Sequence, residues 1–246
     1  MEEHLHGSIV AALYAMGYRP NEMLNLFQYF GKSIVDANPM YMFSSMRENK
    51  SFEINGMRSG GSIEYALNEA AKYKNLKYLA DLEKCIVITT VDLQTGKEFI
   101  FTNTKEREEE NYIKEFEIAK AVRASSSFPI LFAPFKYKEY TFVDGGVLSN
   151  VPASEVRNAG ADKVIAVNFF EENVKTRNSI YSIVLRTLDI MTNQIAQNNL
   201  KEADNTILVN TGEIKILQMN KIKECYQIGY EIGLQNITKI KDILSS

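Results

Sequence analysis

Between Tyr140 and Pro152 the chain reads Tyr-Thr-Phe-Val-Asp-Gly-Gly-Val-Leu-Ser-Asn-Val-Pro, and no other stretch limits the fold as much. The β-branched and aromatic residues Thr141, Phe142 and Val143 favour a strand. Asp144 ends the apolar run, Gly145 and Gly146 follow, and Pro152 suits the first turn of a helix that Asn150 is placed to cap. The spacing predicts strand, tight turn and helix, with one carboxylate at the strand's carboxyl end. Open α/β sheets bind their ligands at that end. Lacking Cβ atoms, the two glycines let backbone or substrate approach Asp144 closely. Asp-Gly is also a common surface-turn pair, and a solvated Asp144 is the competing reading.

The rest of the chain alternates strands and helices, which argues an α/β fold. Gly7 to Met16 is small and apolar nearly all round, the pattern of a buried helix, with Gly17 as its C-cap. Pro20 opens a second helix carrying Leu24, Phe27 and Phe30 near helical spacing. A short helix is expected over Pro39 to Met46. Gly60-Gly61 reads as a flexible turn before a helix from Ser62 to Tyr73, with Ile63, Ala66, Leu67, Ala70 and Ala71 on one face. Lys84 to Val91 is a buried strand, and Gln94-Thr95-Gly96 turns it into a second strand, Glu98 to Thr102, as a hairpin. Arg107 to Asn111 reads as a charged, solvated loop. Ile113 to Arg123 is expected to be a helix that Phe128-Pro129 closes off.

Beyond Asp144, Lys163 to Asn168 is expected as a buried parallel strand, Arg177 to Asn199 as a helix carrying Ile183, Ile190 and Ile195, and Thr206 to Val209 as a strand. Lys221 to Leu244 is a last helix with a stripe of Ile222, Ile228, Ile232, Ile237 and Ile240. That stripe either docks on the sheet or lies at a membrane surface. No repeat or linker divides residues 1–246, so a single domain is expected.

Composition limits the partners. A net charge of −3 over 246 residues offers no electrostatic case for nucleic acid. Cys85 and Cys225 lie far apart among apolar residues and read as buried thiols, which fits a reducing cytoplasm. Neither a metal site nor a cofactor is expected. His4 and His6, the only histidines, stand at a terminus with no recognisable Ser or Cys partner nearby, so a Ser-His-Asp set is poorly supported.

Four blocks in order resemble the patatin-like phospholipases, the bacterial members above all. Gly7-Ser8-Ile9-Val10-Ala11-Ala12-Leu13 is similar to the helix behind that family's nucleophile. Ala124-Ser125-Ser126-Ser127-Phe128-Pro129 is similar to its Ala-Ser-x-x-x-Pro block, with the serines shaping the site wall. Asp144-Gly145-Gly146 resembles its second catalytic motif, and Asn150-Val151-Pro152 with Ala159 to Val167 resembles the helix and strand beyond. The resemblance implies a three-layer α/β sandwich around a mainly parallel sheet. It also implies a Ser–Asp dyad acting on lipid or acyl-ester substrates, with Asp144 as base, and peripheral membrane contact.

In that family a serine on a Gly-x-Ser-x-Gly elbow attacks the ester, and a glycine-rich loop after the first strand binds the oxyanion. With Gly7 aligned on the last glycine of the elbow, Glu3 stands at its first glycine and Leu5 at the nucleophile. The resemblance therefore implies an N-terminally incomplete relative, lacking the first strand, the oxyanion loop and the attacking serine. Two readings follow. One is a lipid acyl hydrolase that is inactive in this chain. The other is a non-catalytic lipid-binding or interaction protein on the same scaffold. An unrelated activity at Asp144 has no second functional group in the sequence to support it.

Overall fold

The computed structural model describes residues 7–35, 58–104, 109–170, 179–212, 214 and 218–245. The helix expected over Pro39 to Met46 and the residues His4, Leu5 and His6 lie outside that range. The contacts divide the chain into two compact units, one ending at Val147 and the other starting at Leu148.

In the first unit, α1 (Gly7–Ala15) buries Ile9, Ala12, Leu13 and Ala15. Val10 and Tyr14 are exposed, so α1 is buried along one face rather than all round. It ends as expected at Gly17, whose φ is +81°. Tyr18 N–H donates to the Leu13 carbonyl and Gly17 N–H to that of Tyr14, both at 3.0 Å, the paired bonds of a left-handed glycine cap. Pro20 opens α2 (Pro20–Val35). In α3 (Gly61–Tyr73) the buried residues are Ile63, Ala66, Leu67, Ala70 and Ala71, the face its spacing predicts.

The strands are β1 (Val87–Asp92), β2 (Glu98–Thr102), β3 (Tyr112–Ile113), β4 (Phe135–Tyr137) and β5 (Tyr140–Asp144), in sheet order β3-β2-β1-β5-β4. The mainly parallel sheet expected from the resemblance is corrected here. β1 is antiparallel to both β2 and β5, β4 is antiparallel to β5, and β3 alone in this sheet pairs parallel, with β2. Tight turns around Gln94-Thr95-Gly96 and Lys138-Glu139 force two of these pairings, because a parallel pair needs a long crossover. The helix expected from Ile113 begins instead at Ile118, as α4 (Ile118–Ser125), since Tyr112 and Ile113 are held by β2. Phe101, Phe132 and Phe142 are fully buried beside Ile88, Ile100 and Val122. Phe101 stacks on Phe116 with centroids 4.5 Å apart and meets Phe142 edge-on at 5.7 Å. This aromatic core backs the strand that carries Asp144.

In the second unit, β6 (Ile165–Phe170) and β7 (Asn205–Asn210) pair parallel, joined through α6 (Ile180–Asn199). Parallel pairing therefore holds for this two-stranded sheet. Val151, Ala166 and Ala196 form a small core with Leu200 and Ala203. The short α5 (Ala153–Asn158) starts with Pro152 at its cap and no side-chain cap, so Asn150 does not cap it. β6 is less buried than expected, with Val167 half-exposed. Ile183 and Ile190 of α6 are exposed as well, while Asp189 and Ala196 are buried. In α7 (Ile222–Ser245) no residue is buried. Cys85 is exposed and Cys225 half-buried, which corrects the reading of two buried thiols. No helix among the described residues is long and apolar enough to cross a membrane.

Candidate active site

Asp144 closes β5 with its side chain inside the protein, at 3% exposure. The solvated-turn reading does not hold. Register places Asp144 opposite Thr90, Val143 opposite Val91 and Phe142 opposite Asp92. Thr90 is fully buried, and its hydroxyl donates to the Val143 carbonyl at 2.7 Å. The backbone N–H of Asp144 donates to the carbonyl of Ser127 at 3.1 Å, tying the end of β5 to the chain leaving α4.

The two glycines have separate tasks. A Cβ on Gly145 would fall 2.3 Å from Thr89 Oγ1 and 2.4 Å from the Thr89 carbonyl oxygen, so only glycine lets this turn lie against β1. Its lack of a side chain serves backbone packing first. Gly146 donates its N–H to Asp144 Oδ1 at 2.8 Å, which fixes the carboxyl's orientation. The other oxygen, Oδ2, is buried and has no hydrogen-bond partner among the described residues. Burial pushes the Asp144 carboxyl up to about 7, against a partial opposing pull from the Gly146 N–H.

Asp92 shows what a structural carboxylate looks like in the same sheet. It is as little exposed as Asp144, at 1%. Its Oδ2 accepts from the N–H and hydroxyl of Thr95 at 3.0 and 2.7 Å, and its Oδ1 from Thr141 N–H at 3.0 Å. Burial alone would raise its pKa, but the hydrogen bonds outweigh burial and hold Asp92 below the usual carboxylate range. The two acids differ because Asp92 lies less deep and has its lone pairs filled, whereas Asp144 is deeply buried and keeps an open oxygen.

The serine block is buried. Ser126 and Ser127 are both at 0% exposure. The Ser127 hydroxyl accepts from buried Arg123, whose Nη2 donates also to the Ala133 carbonyl at 2.7 Å. Arg123 fits only because residue 60 is glycine, for a Cβ there would sit 2.2 Å from the guanidinium. Arg123 thereby braces Ser127, which holds Asp144 through its carbonyl. Ser126 Oγ lies 3.4 Å from the hydroxyl of Ser8 in the first turn of α1. The start of α1, the serine block and Asp144 are brought together in one unit. Sequence reasoning missed Asp92 and Arg123. The Asp-x-x-Thr spacing of an Asx-type turn was the available signal for Asp92, and nothing local marks Arg123.

Known proteins place this arrangement. The family model of the patatin-like phospholipases matches residues 6–157. An uncharacterized protein of Acanthamoeba polyphaga mimivirus is 25% identical over 244 residues, covering 94% of this chain and 78% of that one. A probable lipid hydrolase of Invertebrate iridescent virus 6 is 25% identical over 148 residues, 59% of this chain and 49% of its own. A probable inactive patatin-like protein of Arabidopsis thaliana is 28% identical over 140 residues, 50% of this chain and 36% of its own. The chain thus spans about half the length, or less, of the last two. The matched span holds α1, the serine block, β5 and the Asp-Gly-Gly turn, and the chain belongs to the patatin-like phospholipase family.

Proposed function

We propose that this chain carries the acid half of a lipid acyl hydrolase site, with Asp144 as the base of a Ser–Asp dyad acting on lipid or acyl-ester substrates. The observation that carries the reading is the open, buried Oδ2 of a carboxyl whose other oxygen is locked by Gly146. A carboxyl with a pKa of about 7 is part-ionised at neutral pH, which suits a group that takes a proton from an attacking hydroxyl and returns it. The iridovirus relative named as a lipid hydrolase supports the substrate class.

With Leu5 at the aligned nucleophile position, residues 1–246 are proposed to hydrolyse esters at close to background, because removing the nucleophile leaves only residual catalysis. Turnover of p-nitrophenyl esters tests this, and the expected result is none above the blank. Turnover abolished by Asp144→Ala would contradict it, since another nucleophile would then be working with the acid.

The same leucine favours a second reading, a non-catalytic lipid-binding or interaction protein on a patatin scaffold. Native mass spectrometry of the purified protein distinguishes the two. A fatty acid retained through purification supports this reading, and spectra showing neither lipid nor partner remove its basis. Residues 1–246 are read as one patatin-like domain in the cytoplasm. Exposed Ile180, Ile183, Ile190 and Met191 supply an apolar face for peripheral membrane contact. Co-sedimentation with liposomes tests that contact.

A further inference from the structure

Three helices of the first unit leave an apolar groove between them. Ile9 and Leu13 of α1, Phe27 and Phe30 of α2, and Ala66 and Ala70 of α3 line it, with further apolar side chains of the same faces. Each pair is spaced three or four residues apart, as on one face of a helix. α1 and α2 contribute large side chains, but α3 contributes only methyl groups at Ala66 and Ala70, so the helices meet without filling the space between them. Ile9, Leu13, Ala66 and Ala70 are buried and make the floor, while Phe27 and Phe30 are half-buried at the rim. About 290 Å³ of empty space lies among these side chains, the open mouth included.

The lining decides the class of ligand. An ordered water needs about two to four polar partners. Among the described residues every side chain lining this groove is a hydrocarbon. Such a space stays dry and favours an apolar guest. It offers no side-chain grip on a phosphate, a sugar or a peptide. The rim supplies what the floor lacks. The Phe30 ring meets Tyr29 edge-on with centroids 4.7 Å apart, and Tyr65 of α3 edge-on at 6.2 Å. Tyr29 is 79% exposed and Tyr65 60%, so both phenols stand in water beside the groove. A tyrosine joins an apolar ring to a polar tip, which suits the boundary between hydrocarbon and a polar end group. A single hydrocarbon chain ending in a small polar group matches a carbon-lined floor and a tyrosine rim together.

We propose that this groove holds the chain of one fatty acid, its methylenes between α1, α2 and α3 and its carboxylate outside, among the phenols of Tyr29 and Tyr65. The proposal deepens the lipid-binding reading above and rests on it, and it needs no chemistry at Asp144.

The test uses residues 1–246 with one reporter. The chain contains no tryptophan, so Tyr65→Trp sets a lone indole beside the groove. Undecanoate brominated next to its carboxylate is expected to quench this indole saturably at one acid per chain, and more strongly than undecanoate brominated at its far end. Plain acids should displace it, with affinity rising about fourfold per methylene from nonanoate to undecanoate. Adding Ala66→Leu puts an isobutyl group where about three methylenes would lie, and should weaken binding by about tenfold or more while circular dichroism stays native. Where that variant fails to fold, Phe27→Gln on the half-buried rim takes its place, with the same loss expected. Absence of saturable quenching overturns the proposal, as does stronger quenching from the far-end bromine. Quenching that survives both variants puts the acid elsewhere and overturns it too. Quenching by brominated phosphatidylcholine vesicles but not by the free acid makes the face a membrane contact and likewise overturns it. A fatty acid retained in native mass spectra without quenching of the indole sinks the groove and leaves the lipid-binding reading standing.

Discussion

Replacing Asp144 by Asn removes one titration while keeping the side chain's shape. Asn retains an acceptor for the Gly146 N–H that now meets Oδ1 at 2.8 Å. The folded carboxyl titrates at about 7 against 3.8 for the free group. At about 1.36 kcal/mol per pH unit, the buried carboxylate costs the folded state about 4 kcal/mol at alkaline pH. The sign follows from proton binding. Between about pH 4 and pH 7 the folded chain holds a proton that the unfolded chain has released, so stability falls as pH rises through that window. By about pH 5 somewhat over a third of the cost is present, and by about pH 8 nearly all of it. The stability of Asp144→Asn minus that of the parent should therefore rise by about 2–3 kcal/mol between about pH 5 and pH 8. Urea unfolding of both proteins across that range, by linear extrapolation, provides the difference. Groups that titrate alike in both proteins cancel. A fixed offset is uninformative, because the Asn amide itself meets a buried site at a cost of about 1–3 kcal/mol. Parallel stability profiles for the two proteins would refute the reasoning.

Gly145→Ala should destabilise by about 3 kcal/mol or more, because its methyl meets the Thr89 backbone at 2.4 Å and the turn has to move; thermal melts at fixed pH measure it. Arg123→Met should cost about 3–5 kcal/mol by leaving the Ser127 hydroxyl and the Ala133 carbonyl without their donor, read by urea unfolding. Asp92→Ala should loosen the β1–β2 hairpin and its tie to Thr141, visible as faster amide exchange at Thr95 and Thr141. Because the Asp92 pKa is held low, its contribution is present above the unfolded value near 4 and is lost as pH falls through the folded one, so parent and variant should converge in stability in strong acid.

Features set by neighbouring residues were legible in the sequence. The buried face of α3, the Gly17 cap and the β1–β2 hairpin depend on spacing within a few residues, and all three appear as read. Pairings over long separations were not legible. β1 and β5 meet with Thr90 opposite Asp144, and no local pattern encodes that partnership or its antiparallel direction. At the site, Asp144 stood out by its place at the end of an apolar run, but burial or solvation turns on what packs around it. Gly145 was read as room for backbone or substrate, and the backbone of the strand beside it uses that room. Apolar residues misled in two ways. Cys85 sits in an apolar run and is exposed, and Ile183 and Ile190 lie on the open face of α6, because hydrophobicity alone does not say which face finds a partner.

The direct test of Asp144 as a buried, base-competent carboxyl is its own titration, followed by carboxyl carbon-13 NMR with Asp144→Asn to assign the signal. A midpoint of about 7 is predicted, moving toward ordinary carboxylate values when the protein is unfolded in urea. A midpoint below about 5 in the folded protein would mean that the side chain is solvated or paired, and the proposed role of Asp144 would fail with it.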